Sequence, residues 1–140
     1  MPSSVLFSIK PEFVEKIFSG KKKYEFRRTF CRRPISKIYI YATSPVCKIV
    51  GHVTVVEILS DEPSQLWKAT AQFAGLSKKQ YDNYFSQCKI AYAYHLFNPL
   101  LYTEPIALSN IQLAYPPQSF YYLNEEQQTL LFLYEQNIKP

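Results

Sequence analysis

The chain has 140 residues, 47% hydrophobic and 16% aromatic, with only three glycines, a composition that excludes disorder and suits one domain burying its own core. Ten of its sixteen lysines and arginines lie between Lys10 and Lys37 against three acids, Glu12, Glu15 and Glu25, so one fifth of a chain of net charge +5 carries +7 and the remainder −2; that is the footprint of a polyanion binder or of a solvated edge strand. Three widely spaced cysteines without a C-x-x-C pair, two histidines and no apolar run approaching the roughly 18 residues of a membrane helix argue against a metal centre, a disulfide framework and a membrane span.

The segment Met1–Ser4 carries no basic stretch ahead of an apolar signal core, so the expected setting is cytoplasmic, with Cys31, Cys47 and Cys88 as free thiols. Val5–Ile9 reads as a strand. Pro11 suits the first turn of a helix whose Phe13, Val14, Ile17 and Phe18 recur at helical spacing, and Gly20 is its stop. Lys21–Arg28 is then strand-like, with Tyr24, Phe26 and Arg28 on one face and Lys23, Glu25 and Arg27 on the other, which predicts apolar groups inward and charges outward. Ile35–Tyr41 is apolar on both faces and therefore central, with Thr43-Ser44-Pro45 as its turn. Ile49–Ile58 is a long β-branched strand in which Gly51 marks a bulge or a close backbone approach.

From Pro63 the period is helical, through Leu66, Trp67, Thr70 and Phe73 to a stop at Gly75. Ser77 and Gln80 have capping-box spacing for a second helix bearing Tyr81, Tyr84, Phe85 and Cys88. Ile90–Phe97 and Ile106–Leu108 read as two further strands, Pro116-Pro117 as a loop, and Asn124 as the cap of a final helix to Glu135. Strands that mostly follow strands, five or six of them with three or four helices, make an α+β domain with a small mixed β-barrel. A single domain over 1–140 is expected, with a helical extension at about 116–140.

Chemistry concentrates in Gly20–Arg28. Arg27 or Arg28 can grip phosphate oxygens with two N–H groups, and Lys21, Lys22 and Lys23 can act as point charges along a backbone. Glu25 cannot bind phosphate; it either accepts a hydrogen bond from a base amino group or holds an arginine in place. Tyr39, Tyr41, Phe120 and Tyr121 can stack on unpaired bases wherever they are not core, Tyr41 foremost because it abuts the turn. The polar groups of Thr43, Ser44, Gln118 and Ser119 are edge readers or turn formers. His52 and His95 read as core or surface histidines. Without a glycine-rich phosphate loop or a cluster of metal ligands, neither cofactor nor metal is expected.

The stretches Ser8-Ile-Lys-Pro-Glu-Phe13, Gly20-x-Lys22-x-x-Glu25-x-Arg27, Ile38-Tyr-Ile-Tyr-Ala-Thr-Ser-Pro45 and Val50-Gly-His-Val53 together resemble the activating signal cointegrator homology (ASCH) family. The tail Pro116–Leu123 is similar to longer prokaryotic members described as predicted regulators with a PUA-like domain. The resemblance implies a PUA-like β-barrel with flanking helices, in a superfamily dominated by RNA-binding and modified-base-reading domains. It also puts Lys22, Glu25 and Arg27 at the mouth of a cleft beside the Tyr41–Pro45 turn. Some members remove the acetyl group of N4-acetylcytidine with a lysine, a threonine and a distant glutamate; Lys22 matches the lysine, whereas Glu25 stands at the threonine position and Ala74 at the glutamate position. Other members cleave RNA. The expected function is therefore binding of RNA, single-stranded or carrying a modified base, or of single-stranded DNA, through Lys21, Lys22, Lys23, Glu25, Arg27, Arg28, Tyr41, Thr43 and Ser44. The alternatives are a ribonuclease or an amidohydrolase with Lys22 and Glu25 as catalytic candidates, and a coregulator module with a protein partner.

Overall fold

The computed structural model describes residues 2–136; positions 137–140, the end of the expected C-terminal extension, lie outside the described residues. Six strands form one mixed sheet: β1 (Ser3–Ile9), β2 (Tyr24–Arg27), β3 (Ile35–Ala42), β4 (Lys48–Asp61), β5 (Ala91–Ile106) and β6 (Phe120–Tyr122), in the order β2-β5-β4-β3-β1-β6. β1 and β3 run parallel, and the other neighbours are antiparallel. The sheet curls into a half-barrel flanked by α1 (Pro11–Phe18), α2 (Pro63–Thr70), α3 (Lys78–Tyr84) and α4 (Glu125–Glu135). The α+β class is as expected, with the barrel open between its edge strands β2 and β6. Among the described residues no helix is long and apolar enough to cross a membrane.

Alternation along the central strands divides the core. Val5, Phe7, Ile9, Ile38, Ile40 and Val53 pack on one face with Val14 and Ile17 of α1, while Leu6, Tyr39, Tyr41 and Ile49 pack on the other with Leu131 of α4. A third cluster joins Phe26, Ala91 and Ala93 to Leu66, Tyr81 and Phe85 of the α2–α3 layer. α4 is anchored at its far end, where the Glu135 carboxylate accepts from the Tyr102 hydroxyl at 3.0 Å and lies 3.2 Å from His52 Nε2. The expected Ser77–Gln80 capping box forms, and Asn124 caps α4 as expected, with Gln127 completing a second box that was not expected.

Two strand expectations change. The charged face of β2 does not point to solvent: Glu25 is 8% exposed and Arg27 only partly exposed, because α1 and the Pro117–Ser119 segment cover that face. The predicted pair Ile90–Phe97 and Ile106–Leu108 is one strand, β5, and Leu108 instead opens a 3-10 turn. β5 survives Pro99 because Thr54 pairs with Phe97 and His52 with Leu100, leaving Asn98-Pro99 in a bulge where no ladder N–H is needed and Asn98 takes a φ of 49°.

Gly51 occupies the corresponding bend of β4, as the sequence predicted. A Cβ there would overlap the Leu100 carbonyl oxygen and approach the Phe18 ring to 2.7 Å. The backbone of a central strand cannot yield cheaply. Gly51→Ala is expected to lower the unfolding free energy by about 1–3 kcal/mol, read from urea denaturation; unchanged stability would show that β4 and β5 separate freely at the bend.

Candidate functional site

α1 ends at Gly20, whose φ of 83° turns the chain so that the Lys21 and Lys22 N–H groups both bond to the Lys16 carbonyl. The next bond, Lys23 N–H to the Phe73 carbonyl at 2.8 Å, ties this turn to the segment that follows α2. Lys22 therefore runs inward while Lys21 and Lys23 stay exposed. Its stem lies on Gly75, where a Cβ would come within 2.5 Å of the lysine's own Cβ, so at this position the glycine supplies space as well as its φ of 74°.

The buried ammonium donates to the Ala74 carbonyl at 2.7 Å, sits 5.0 Å from the Phe26 ring centroid and lies 3.9 Å from Glu25 Oε1. Burial lowers its pKa to about 8; Glu25 opposes that shift, and the nearby cations Lys16 and Arg27 add to it. The position where the family resemblance placed a distant glutamate thus contributes only the backbone of Ala74.

Glu25 stands between two cations. Its Oε2 accepts from Arg27 Nε at 3.1 Å and pairs with Nη2 at 2.9 Å, leaving Oε1 toward Lys22. Arg27 also donates to the carbonyls of Ser8 at 2.9 Å and Ser119 at 3.4 Å, with its guanidinium carbon 4.4 Å from the centre of the Phe7 ring. Most of its donors are engaged by protein, which makes it a clamp more than a free phosphate grip. Of the two contacts the sequence left open for Glu25, the one made within the chain is to the arginine.

A cavity of about 500 Å3 opens onto this array, with Lys22, Glu25 and Arg27 on its wall. β1 contributes Ser8, the junction before α1 contributes Lys10, α1 contributes Glu12 and Phe13, and α3 contributes Gln80, Asn83 and Tyr84. The Ser8-to-Phe13 stretch was visible in the sequence as a motif without a role; Gln80 was legible only as a cap residue, Tyr84 as part of an apolar stripe and Asn83 not at all, although their i, i+3, i+4 spacing puts the three on one helix face. Arg28 lies exposed at the rim, stacked 4.3 Å from the Tyr84 ring.

Tyr41, Thr43 and Ser44 are not on the cavity wall. Tyr39 and Tyr41 are 5% exposed within the cluster on the opposite sheet face, so neither offers a ring to a base. The turn meets the cleft indirectly, through the Thr43 N–H bond to the Ile9 carbonyl. His52 pairs with Glu135, and His95 stacks on Tyr24 at 4.7 Å, both away from the cleft. Among the described residues no group of three His, Cys, Asp or Glu side chains could hold a metal ion.

Lys22 makes stability depend on pH. Between its folded value of about 8 and its ordinary 10.5, the unfolded chain holds the proton more tightly than the folded one, so stability rises with pH through that window. The difference in unfolding free energy between wild type and Lys22→Met is expected to move in favour of wild type by about 2 kcal/mol from roughly pH 8 to 9.5. Urea titrations at the two pH values test this, and a flat difference would mean that Lys22 keeps an ordinary pKa.

The ASCH domain family matches residues 7–105. A relative from Zymomonas mobilis named an ASCH domain-containing ribonuclease is 36% identical over 126 residues, covering 87% of this chain and 85% of its own. The crystal structure of an ASCH protein from the same organism superposes with a TM-score of 0.86 at 34% identity, over 93% of this chain and 94% of that one. A hypothetical protein from Leishmania major shares the fold alone, with a TM-score of 0.60 at 13% identity over 100% of this chain and 98% of that chain. With more than half of its length matched by the family model and a relative above 30% identity across most of the chain, this protein belongs to the ASCH domain family.

Proposed function

We propose that this chain binds single-stranded RNA with one unpaired nucleotide in the cleft, and cleaves the strand there. The observation that carries this reading is the burial of Lys22 beside Glu25 on the wall of a cavity large enough for a small ligand. A lysine of lowered pKa buried beside a carboxylate is costly for structure and useful for proton transfer near neutral pH. The name of the Zymomonas mobilis relative supports the choice of RNA over other polyanions.

In the proposed step Glu25 Oε1 takes the proton of a ribose 2′-hydroxyl, whose oxygen attacks the adjacent phosphorus. The bond to the 5′-oxygen breaks, and that oxygen takes a proton from the Lys22 ammonium, giving a 2′,3′-cyclic phosphate and a 5′-hydroxyl end. A proton then sits on Glu25 while Lys22 is neutral, and the 3.9 Å between them lets it return through one water. Arg27 holds Glu25 in place, and Lys10 and Arg28 at the rim supply positive charge for the strand.

Cleavage of a labelled single strand is expected, with a cyclic phosphate product and no reaction of the DNA strand of the same sequence, which lacks the 2′-hydroxyl. Glu25→Gln and Lys22→Met are each expected to slow cleavage by about 10²–10⁴-fold while leaving RNA bound. Binding without any cleavage by wild type would reduce the reading to an RNA-binding module. Release of acetate from N4-acetylcytidine would instead assign the Lys22 amine to amide hydrolysis.

A further inference from the structure

We propose that the loop between β2 and β3 forms an outer subsite that holds the RNA strand as it leaves the cleft. The proposal rests on the RNA reading of the cleft and extends it to residues 28–34 and their neighbours. A separate groove of about 710 Å3 lies there, and its walls carry Arg28, Arg32 and Arg33 together with Phe30, Tyr92 and Tyr122.

Charge is the first reason. No carboxylate lines the groove, and among the described residues none of the three arginines forms a salt bridge. Three unneutralised guanidinium groups on one short loop repel one another, and a string of phosphates relieves that repulsion. The Arg33 guanidinium carbon lies 4.3 Å from the Tyr122 ring centre and that of Arg28 equally close to Tyr84, so both heads sit over aromatic rings; Arg28 Nε donates to the Tyr84 carbonyl at 2.8 Å, which leaves its two Nη groups for a ligand.

Apolar surface is the second reason. Phe30 is 48% exposed and tilted 5.5 Å from Tyr92, an arrangement that leaves ring surface in water between cations. A peptide phosphate would satisfy the arginines and ignore that surface; an unpaired strand uses both, with phosphates on the arginines and a base on the ring.

Continuity is the third. Tyr84 lines the cleft and carries Arg28, which lines the groove. On the other side Arg27 bonds to the Ser119 carbonyl, one residue before Phe120 of the groove wall. A strand with one nucleotide in the cleft therefore has the groove as its next cationic surface.

The test compares a single strand of about 12 nucleotides, its 2′-hydroxyls methylated to block cleavage, with a dinucleotide of the same kind, over a range of salt. The double variant Arg32→Ala/Arg33→Ala is expected to flatten the salt slope for the longer strand by about 1.4, the share of two phosphates on a single strand. Phe30→Ala is expected to weaken the longer strand about tenfold with the slope retained. Both variants are expected to converge on wild type with the dinucleotide. If wild type binds both ligands and the variants match it throughout, the groove is overturned and the cleft reading stands. If the variants weaken the dinucleotide as much as the strand, these residues act within the cleft and the outer subsite is overturned. If wild type binds neither ligand, the cleft reading and the groove fall together.

Discussion

The guanidinium of Arg27 closes what the sheet leaves open. β2 and β6 are the edges of a curled sheet whose strands do not complete a ring, and hydrogen bonding from strand to strand cannot join them. Arg27, at the end of β2, reaches the Ser8 carbonyl on β1 and the Ser119 carbonyl just before β6, with its guanidinium carbon over the Phe7 ring. A charge held so deeply needs a counter-charge, since removing the partner of a buried ion pair leaves an uncompensated ion. Glu25, two residues away on the same strand face, supplies it. The carboxylate proposed for proton transfer is therefore also the one that neutralises the guanidinium tying β2 to β1 and to the residues before β6, so the proposed chemistry and the architecture share one group.

Lys22 is the price of that arrangement. Its ammonium is taken out of water against Phe13 and Phe26 and is compensated by one carbonyl and one distant carboxylate oxygen. Structure alone would be better served by an apolar side chain filling the same space, as buried polar groups generally cost more than they return. The fold nevertheless builds a dedicated berth for it, with Gly75 removed from its path and Ala74 presenting a carbonyl to its tip. A desolvation cost retained at a cavity wall is what the proposed function would account for, since natural sites give up stability where activity needs it.

Much of this was legible in the residues. Hydrophobic period, the Ser77–Gln80 capping box, the Asn124 cap, the Gly20 stop and the Gly51 bend set the elements because each rests on local backbone chemistry. The G-x-K-x-x-E-x-R spacing likewise put Lys22, Glu25 and Arg27 together, since one turn and one strand place them. What escaped was tertiary. Strand alternation put Glu25 outward because nothing in the chain announces that α1 and Ser119 cover that face. Tyr41 read as a rim residue because it abuts a turn, although the alternation of Ile38 through Tyr41 assigns it to the opposite core. β5 was divided at its prolines because a bulge that absorbs a missing N–H depends on the register of the partner strand.

One hydroxyl reaches further than its burial suggests. Tyr94, fully buried on β5, accepts from the Cys31 N–H at 3.0 Å and donates to the Thr29 carbonyl at 3.2 Å, while the Tyr122 hydroxyl takes the Arg33 N–H at 3.3 Å. The arginine-bearing loop is thus pinned at three backbone groups by two rings that belong to the sheet. Its conformational entropy is surrendered when the domain folds, not when a ligand arrives. The association proposed for this surface would then resemble docking onto a rigid template, with little coupled folding and a correspondingly small heat-capacity signature from the protein.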